Sequence, residues 1–150
     1  MLKIKPQLHN LCLQYIEQRI ATAQLALDMA NSSANEETKS SAGDKYETTR
    51  EMIQQDVDKH SAALAEAVKQ KQLLQLINAD KATDKVQPGS LVITDKNSFY
   101  ISISAGTIML GDKKYLAIAA SSPIGIKMID RKAGDSFVFN NIAQQIKEVW

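Results

Sequence analysis

The spacing of apolar residues divides the chain in two, with a helical period before about residue 78 and a period of two after residue 88. Gln7 to Ala30 contains no Gly or Pro, and Leu8, Leu11, Tyr15, Ile16, Ile20, Leu25 and Met29 recur at three and four with occasional slips. This predicts an amphipathic helix opened by Pro6, whose missing N–H costs nothing in a first turn. Tyr46 to Ile77 is again free of Gly and Pro, and Ile53, Val57, His60, Leu64, Ala67, Lys71 and Leu74 step by four and three like a heptad seam. Two such helices predict an antiparallel coiled-coil hairpin, on the order of 35–50 Å long at about 1.5 Å per residue. His60 and Lys71 leave its seam imperfect.

Between the helices, Asn31 to Asp44 reads as the bend, because Asn, Ser and Thr side chains bond to nearby backbone and favour turns and caps. It carries Glu36, Glu37 and Asp44, with Glu47 just beyond, and an exposed bend gives carboxylates no structural reason to cluster. After Ile77 a polar stretch ends in the turn signal Pro88-Gly89. Beyond it, runs at Leu91–Ile93, Phe99–Ile103, Thr107–Leu110, Tyr115–Ile118 and Phe137–Phe139 predict a compact antiparallel sheet. Pro123 can open a short helix within Ser122–Asp130 that covers one sheet face. The expected organisation is α+β: a coiled-coil hairpin over 1–78 with its acidic tip near 31–47, a linker over 79–88, and a small β-sheet domain with one short helix over 89–150.

Composition narrows the function classes. At 150 residues, with 44% hydrophobic and 23% charged residues, the chain has the make-up of an ordinary globular protein of one domain or two small ones. A net charge of +1 argues against a basic nucleic-acid coat. MLKIKPQLHN lacks the apolar run of a signal peptide, and no stretch of about 18 apolar residues is available to span a bilayer, so a cytoplasmic location without membrane partners is expected. Cys12 alone can form no internal disulfide, and with only His9 and His60 beside it there is no zinc set.

The C-terminal half resembles the C-terminal domain of the Gre-factor family of bacterial transcript-cleavage and elongation factors. The residues that carry the likeness are Val86-Gln87-Pro88-Gly89-Ser90-Leu91-Val92, Ser122-Pro123-Ile124-Gly125 and Lys132-Ala133-Gly134-Asp135, the last leading into a final strand. The family places a coiled-coil hairpin and a short linker before this domain, so the resemblance covers most of the chain. It implies an FKBP-like sheet domain, docking on bacterial RNA polymerase through Ser122, Pro123, Ile124 and Gly125, and a hairpin reaching the nascent RNA 3′ end through the secondary channel.

The family's Gly-Asp-x-x-Glu tip element fits Gly43-Asp44-Lys45-Tyr46-Glu47 and maps its two acidic residues onto Asp44 and Glu47. Downstream the chain departs from the usual pattern with Thr48, Thr49, Arg50 and Glu51. A second register, matched on Tyr46 and Arg50-Glu51, puts Lys39 and Ala42 at the acidic positions and makes Glu36 and Glu37 the nearest carboxylates. In the first register Asp44 and Glu47 would help hold a second Mg²⁺ at the polymerase active site, where the metal pair that joins phosphodiesters can also hydrolyse a backtracked transcript. The metal would be shared with the polymerase, no tightly bound cofactor or small-molecule substrate is implied, and the chain would not itself be an enzyme. Lys39, Lys45 and Arg50 could meet RNA phosphates.

Each of these residues also has a plainer reading. Asp44 could be an N-cap with Glu47 its capping-box partner, worth on the order of a kcal/mol or two. Lys39, Lys45 and Arg50 could be solvated surface, His60 a packed seam residue, and Cys12 a small buried apolar group. Pro123 and Gly125 could be helix-start geometry, and Trp150 the end of the last strand or a cap on the core. Three functions follow: a Gre-like cleavage factor, a non-cleaving occupant of the same channel, and an FKBP-like prolyl isomerase with a helical arm. Against the last, aromatic residues are few in the β-rich half.

Overall fold

A computed structural model of the chain describes residues 1–37 and 43–150, with side chains described for 1–36 and 47–150. Two long helices, α1 (Ile4–Glu37) and α2 (Gly43–Gln75), precede β1 (Leu91–Thr94), β2 (Ser98–Ser102), β3 (Gly106–Leu110), β4 (Lys113–Ala119), α3 (Pro123–Met128), β5 (Ser136–Phe139) and β6 (Ile142–Val149). The α+β class and the hairpin-then-sheet order are those expected from the pattern.

The chain forms two compact units, Met1–Tyr15 with Lys71–Trp150, and Ile16–Gln70. The helical unit holds α2 by the expected seam: Ile53, Val57, His60 and Leu64 are half-buried and Ala67 is buried. In α1 the expectation needs correction. Leu25 and Met29 are 62% and 64% exposed, while Ile20, Ala23, Ala26, Leu27, Ala30 and Ala34 are the half-buried positions. Alanine carries no polar group and lets helix backbones approach, so the 3.6 period ranked above side-chain size in choosing the inner face.

A second correction concerns the bend. Asn31–Glu37, read from sequence as part of a turn segment, continues α1. Each Ser or Asn costs a fraction of a kcal/mol in a helix interior, far less than starting a helix anew, so an established helix propagates through them. Gly43 and Asp44, the other end of the expected bend, already belong to α2, and residues 38–42 lie outside the described residues.

The sheet unit is a six-stranded sheet in the order β3-β4-β2-β1-β6-β5. The expected all-antiparallel pairing is wrong at one place: β2 and β4 run parallel, Phe99 beside Leu116 and Ile101 beside Ile118, because β3 turns back at the sheet edge and β4 enters between it and β2. No apolar run predicts β6, and only the reading of Trp150 as the end of a last strand points to it. Its Gln144, Gln145, Lys147 and Glu148 hide the alternation, yet it pairs with both β1 and β5, and Gln144 and Ile146 are buried. Trp150 extends the ladder by exchanging two backbone hydrogen bonds with Leu91, at 2.9 and 3.0 Å.

Period two sorts this unit into two faces. Val92, Phe99, Ile101, Phe137 and Ile146 form one core with Val86 and Met128, and Ile124 and Ile129 pack against it. Tyr100 and Ser102 take the other face, where the first turns of α1 lie: His9 Nδ1 is 2.8 Å from the Tyr100 hydroxyl, and Cys12 Sγ is 3.5 Å from Ser102 Oγ. Leu8 and Cys12 are fully buried there.

Candidate functional site

The acidic tip is built on helix ends. Glu36, in the last turn of α1, and Glu47, in the first turns of α2, are both exposed. Glu37, Asp44 and Lys45 stand on helical backbone, but their side chains lie outside the described residues, and Lys39 lies outside them altogether. Because α2 is helical from Gly43, positions 44 and 47 are one turn apart and share a face of the helix. A carboxylate in this first turn meets the positive end of the helix dipole. Arg50 is exposed one turn beyond Glu47, so a cation and a carboxylate stand side by side on the same stretch. Among the described residues no group of three or more His, Cys, Asp or Glu side chains is arranged to hold a metal.

The Ser122–Gly125 segment begins α3. Ser122 is its N-cap: the side-chain oxygen accepts from Gly125 N at 3.1 Å, and the hydroxyl donates to Ala119 O at 2.6 Å. Pro123 occupies the first turn and is exposed, while Ile124 is half-buried against the core. Gly125 is buried, and a Cβ there would collide with the carbonyl oxygens of Ala119 and Ala120, so the close approach requires glycine. Of the four residues named from sequence, Pro123 therefore offers the most surface, and the exposed apolar side chain beside it is Ile126, at 65%. Sequence reading passed over Ile126 because it stood inside a run expected to cover the sheet.

Sequence reading also passed over a polar cluster in the sheet unit. Lys5 is fully buried, and its ammonium donates to Lys81 O at 2.6 Å and Trp150 O at 3.1 Å. Burial lowers the Lys5 and His9 pKa values, with Asp80 partly opposing both. Burial likewise raises the Tyr100 hydroxyl, helped by Cys12, and raises Cys12 itself against the Ser102 hydrogen bond. In each case burial is the largest cause, and it penalises the charged form. Only the i, i+3, i+4 recurrence of Lys5, Leu8, His9 and Cys12 hinted that these four share one face.

Two clefts open in the helical unit, of about 320 and 300 Å³, and Ala26 and His60 line both. His60 is half-buried at its seam position, as the packing reading of it requires. No described helix is long and apolar enough to cross a membrane.

Among solved structures the chain is similar to one described as the structure of the transcription factor Gfh1, at 16% identity over 91% of this chain and 92% of that one, with a TM-score of 0.38. No protein-family model matches the chain. No curated protein matches it either.

Proposed function

We propose that this chain is a transcription elongation factor of the Gre type. In this reading it binds bacterial RNA polymerase, places its helical hairpin in the secondary channel, and stimulates Mg²⁺-dependent cleavage of backtracked RNA. The observation that carries the reading is the pair of helices of 34 and 33 residues whose facing ends bear the acidic positions Glu36, Glu37, Asp44 and Glu47. At about 1.5 Å per residue each helix is roughly 50 Å long, enough to carry a carboxylate deep into a channel. The Ser-Pro-Ile-Gly helix start and the Lys132–Asp135 turn, set in a sheet unit after that hairpin, add the family resemblance.

The chemistry asked of the tip is small. A loosely held Mg²⁺ keeps most of its waters and takes one or two protein carboxylates, which Asp44 and Glu47, one turn apart, can offer together. The ion belongs to the polymerase, and Arg50 supplies a cation for the RNA backbone. A second reading keeps the partner and drops the cleavage. It is favoured by Thr48, Thr49, Arg50 and Glu51, which depart from the family's usual tip sequence.

A backtracked complex of a bacterial RNA polymerase decides between them. The chain is expected to co-elute with the polymerase and to shorten the stalled RNA, while Asp44→Ala and Glu47→Ala each slow cleavage by at least about tenfold with binding retained, the loss of a metal-stabilising ligand. Co-elution without shortening would leave the channel-occupant reading standing. Failure to bind polymerase would end both.

A further inference from the structure

β3 ends the sheet on one side: it pairs with β4, and among the described residues no strand lies against its outer edge. An outermost strand turns the N–H and C=O groups of alternate residues outward, where a further strand can take them up. Proteins commonly blunt such an edge with a charge or a proline. Gly106-Thr107-Ile108-Met109-Leu110 carries neither, and its register with β4 is unbroken from Gly106 beside Ala117 to Leu110 beside Lys113. Ile108 is buried with Tyr115 on one face; Thr107 is exposed on the other, and Met109 on that same face is 49% exposed.

The charges on the neighbouring strand are of one sign. Lys113 lies opposite Leu110 and Lys114 opposite Met109, so one ammonium projects from each face of β4. Both lysines are exposed. Asp112, in the turn, is the carboxylate of this hairpin, and β3 itself brings none. A strand added outside β3 would lie two strand spacings, roughly 10 Å, from β4, a gap that a lysine and a glutamate side chain span together. The far edge of the sheet offers less: β5 is four residues long, and Asp135 directly precedes it.

We infer that β3 docks an extended, acidic segment of a partner protein as a further strand of the sheet. Main-chain hydrogen bonds along Gly106–Leu110 supply the affinity, and the alternation of side chains above and below the added strand sets the register. Adjacent carboxylates on that strand project to opposite faces and so answer Lys113 and Lys114 together. Thr107 and Met109 give β-branched residues of the partner a surface to pack on. A second copy of the chain is the poorer occupant. Its β3 would bring no carboxylate and would set two more lysines near the first two. The inference does not rest on the acidic tip or on a polymerase.

The test follows amide chemical shifts and amide hydrogen exchange of the full chain during titration with synthetic peptides. The probes are a short threonine- and valine-rich peptide carrying adjacent glutamates, the same peptide with lysines in their place, and the glutamate peptide with every backbone nitrogen methylated. Saturable shifts are expected at Gly106–Leu110, with slowed exchange of alternate β3 amides. The lysine peptide should bind about tenfold more weakly, and the methylated peptide should not bind. In the double variant Lys113→Glu, Lys114→Glu, checked for an unchanged melting temperature, the preference between the two charged peptides should reverse. Lys113→Gln alone should weaken the glutamate peptide about two- to fivefold, and it serves as the test if the double variant perturbs the fold. The inference is overturned if the two charged peptides bind alike, if methylation leaves binding intact, if the shifts fall on other elements, or if no peptide saturates. Shifts at β3 that grow with protein concentration alone would assign the edge to a second copy and overturn it as well.

Discussion

At the scale of single residues, His9 shows how burial converts an unremarkable sequence position into a pH-dependent contact. Its ring sits 2.8 Å from the Tyr100 hydroxyl, and burial holds its pKa below the ordinary 6.5, with Asp80 opposing. A depressed basic group binds fewer protons folded than unfolded, so stability is complete above about pH 6.5 and falls as pH drops below it. Melting temperature is therefore expected to decline between pH 7.5 and 5, and the decline should be smaller in His9→Gln. Equal declines would show that the ring takes no part. Cys12 and the helix-start roles of Pro123 and Gly125 were legible from residue type alone. His9, Lys5 and Tyr100 were not, since their partners stand more than 70 residues away and no local pattern announces them.

At the scale of elements, periodicity located both helices and five of the six strands, and its failures have definite causes. The α2 seam followed its heptad. In α1 the large side chains Leu25 and Met29 suggested the inner face, whereas the half-buried positions are mostly alanines. Leu25→Gln should thus change stability by no more than about 0.5 kcal/mol, while Ala67→Asp, which places a carboxylate at a position only 3% exposed, should cost on the order of 2 kcal/mol or more. Urea unfolding followed by helical circular dichroism measures both, and a larger loss at Leu25 would restore the original face. Periodicity missed β6 because polar residues fill most of its positions. Its place between β1 and β5 is fixed by pairing at long range, which a single-strand pattern does not encode.

At the scale of the whole molecule, the compact units do not follow the change in sequence period. The sheet unit takes in Met1–Tyr15 and the chain from Lys71 onward, and it draws Val86 into its core. A fragment of residues 89–150 loses Val86, Leu8, Cys12 and Leu74 and bares Tyr100 and Ser102. Such a fragment is expected to bind a hydrophobic dye and to unfold without a cooperative transition, whereas cooperative unfolding at the full chain's midpoint would make 89–150 self-sufficient. The sequence by itself determined the class, the order of hairpin and sheet, the helix start at Ser122 and the acidic character of the tip, because these rest on period, capping chemistry and charge, which are local. Only the tertiary structure decided the parallel β2–β4 pairing, the burial of Lys5 and His9, the alanine face of α1 and the place of β3 at the sheet edge. Each of these depends on which distant residues meet, and the chain chooses among such pairings by total burial and hydrogen-bond satisfaction over the whole fold.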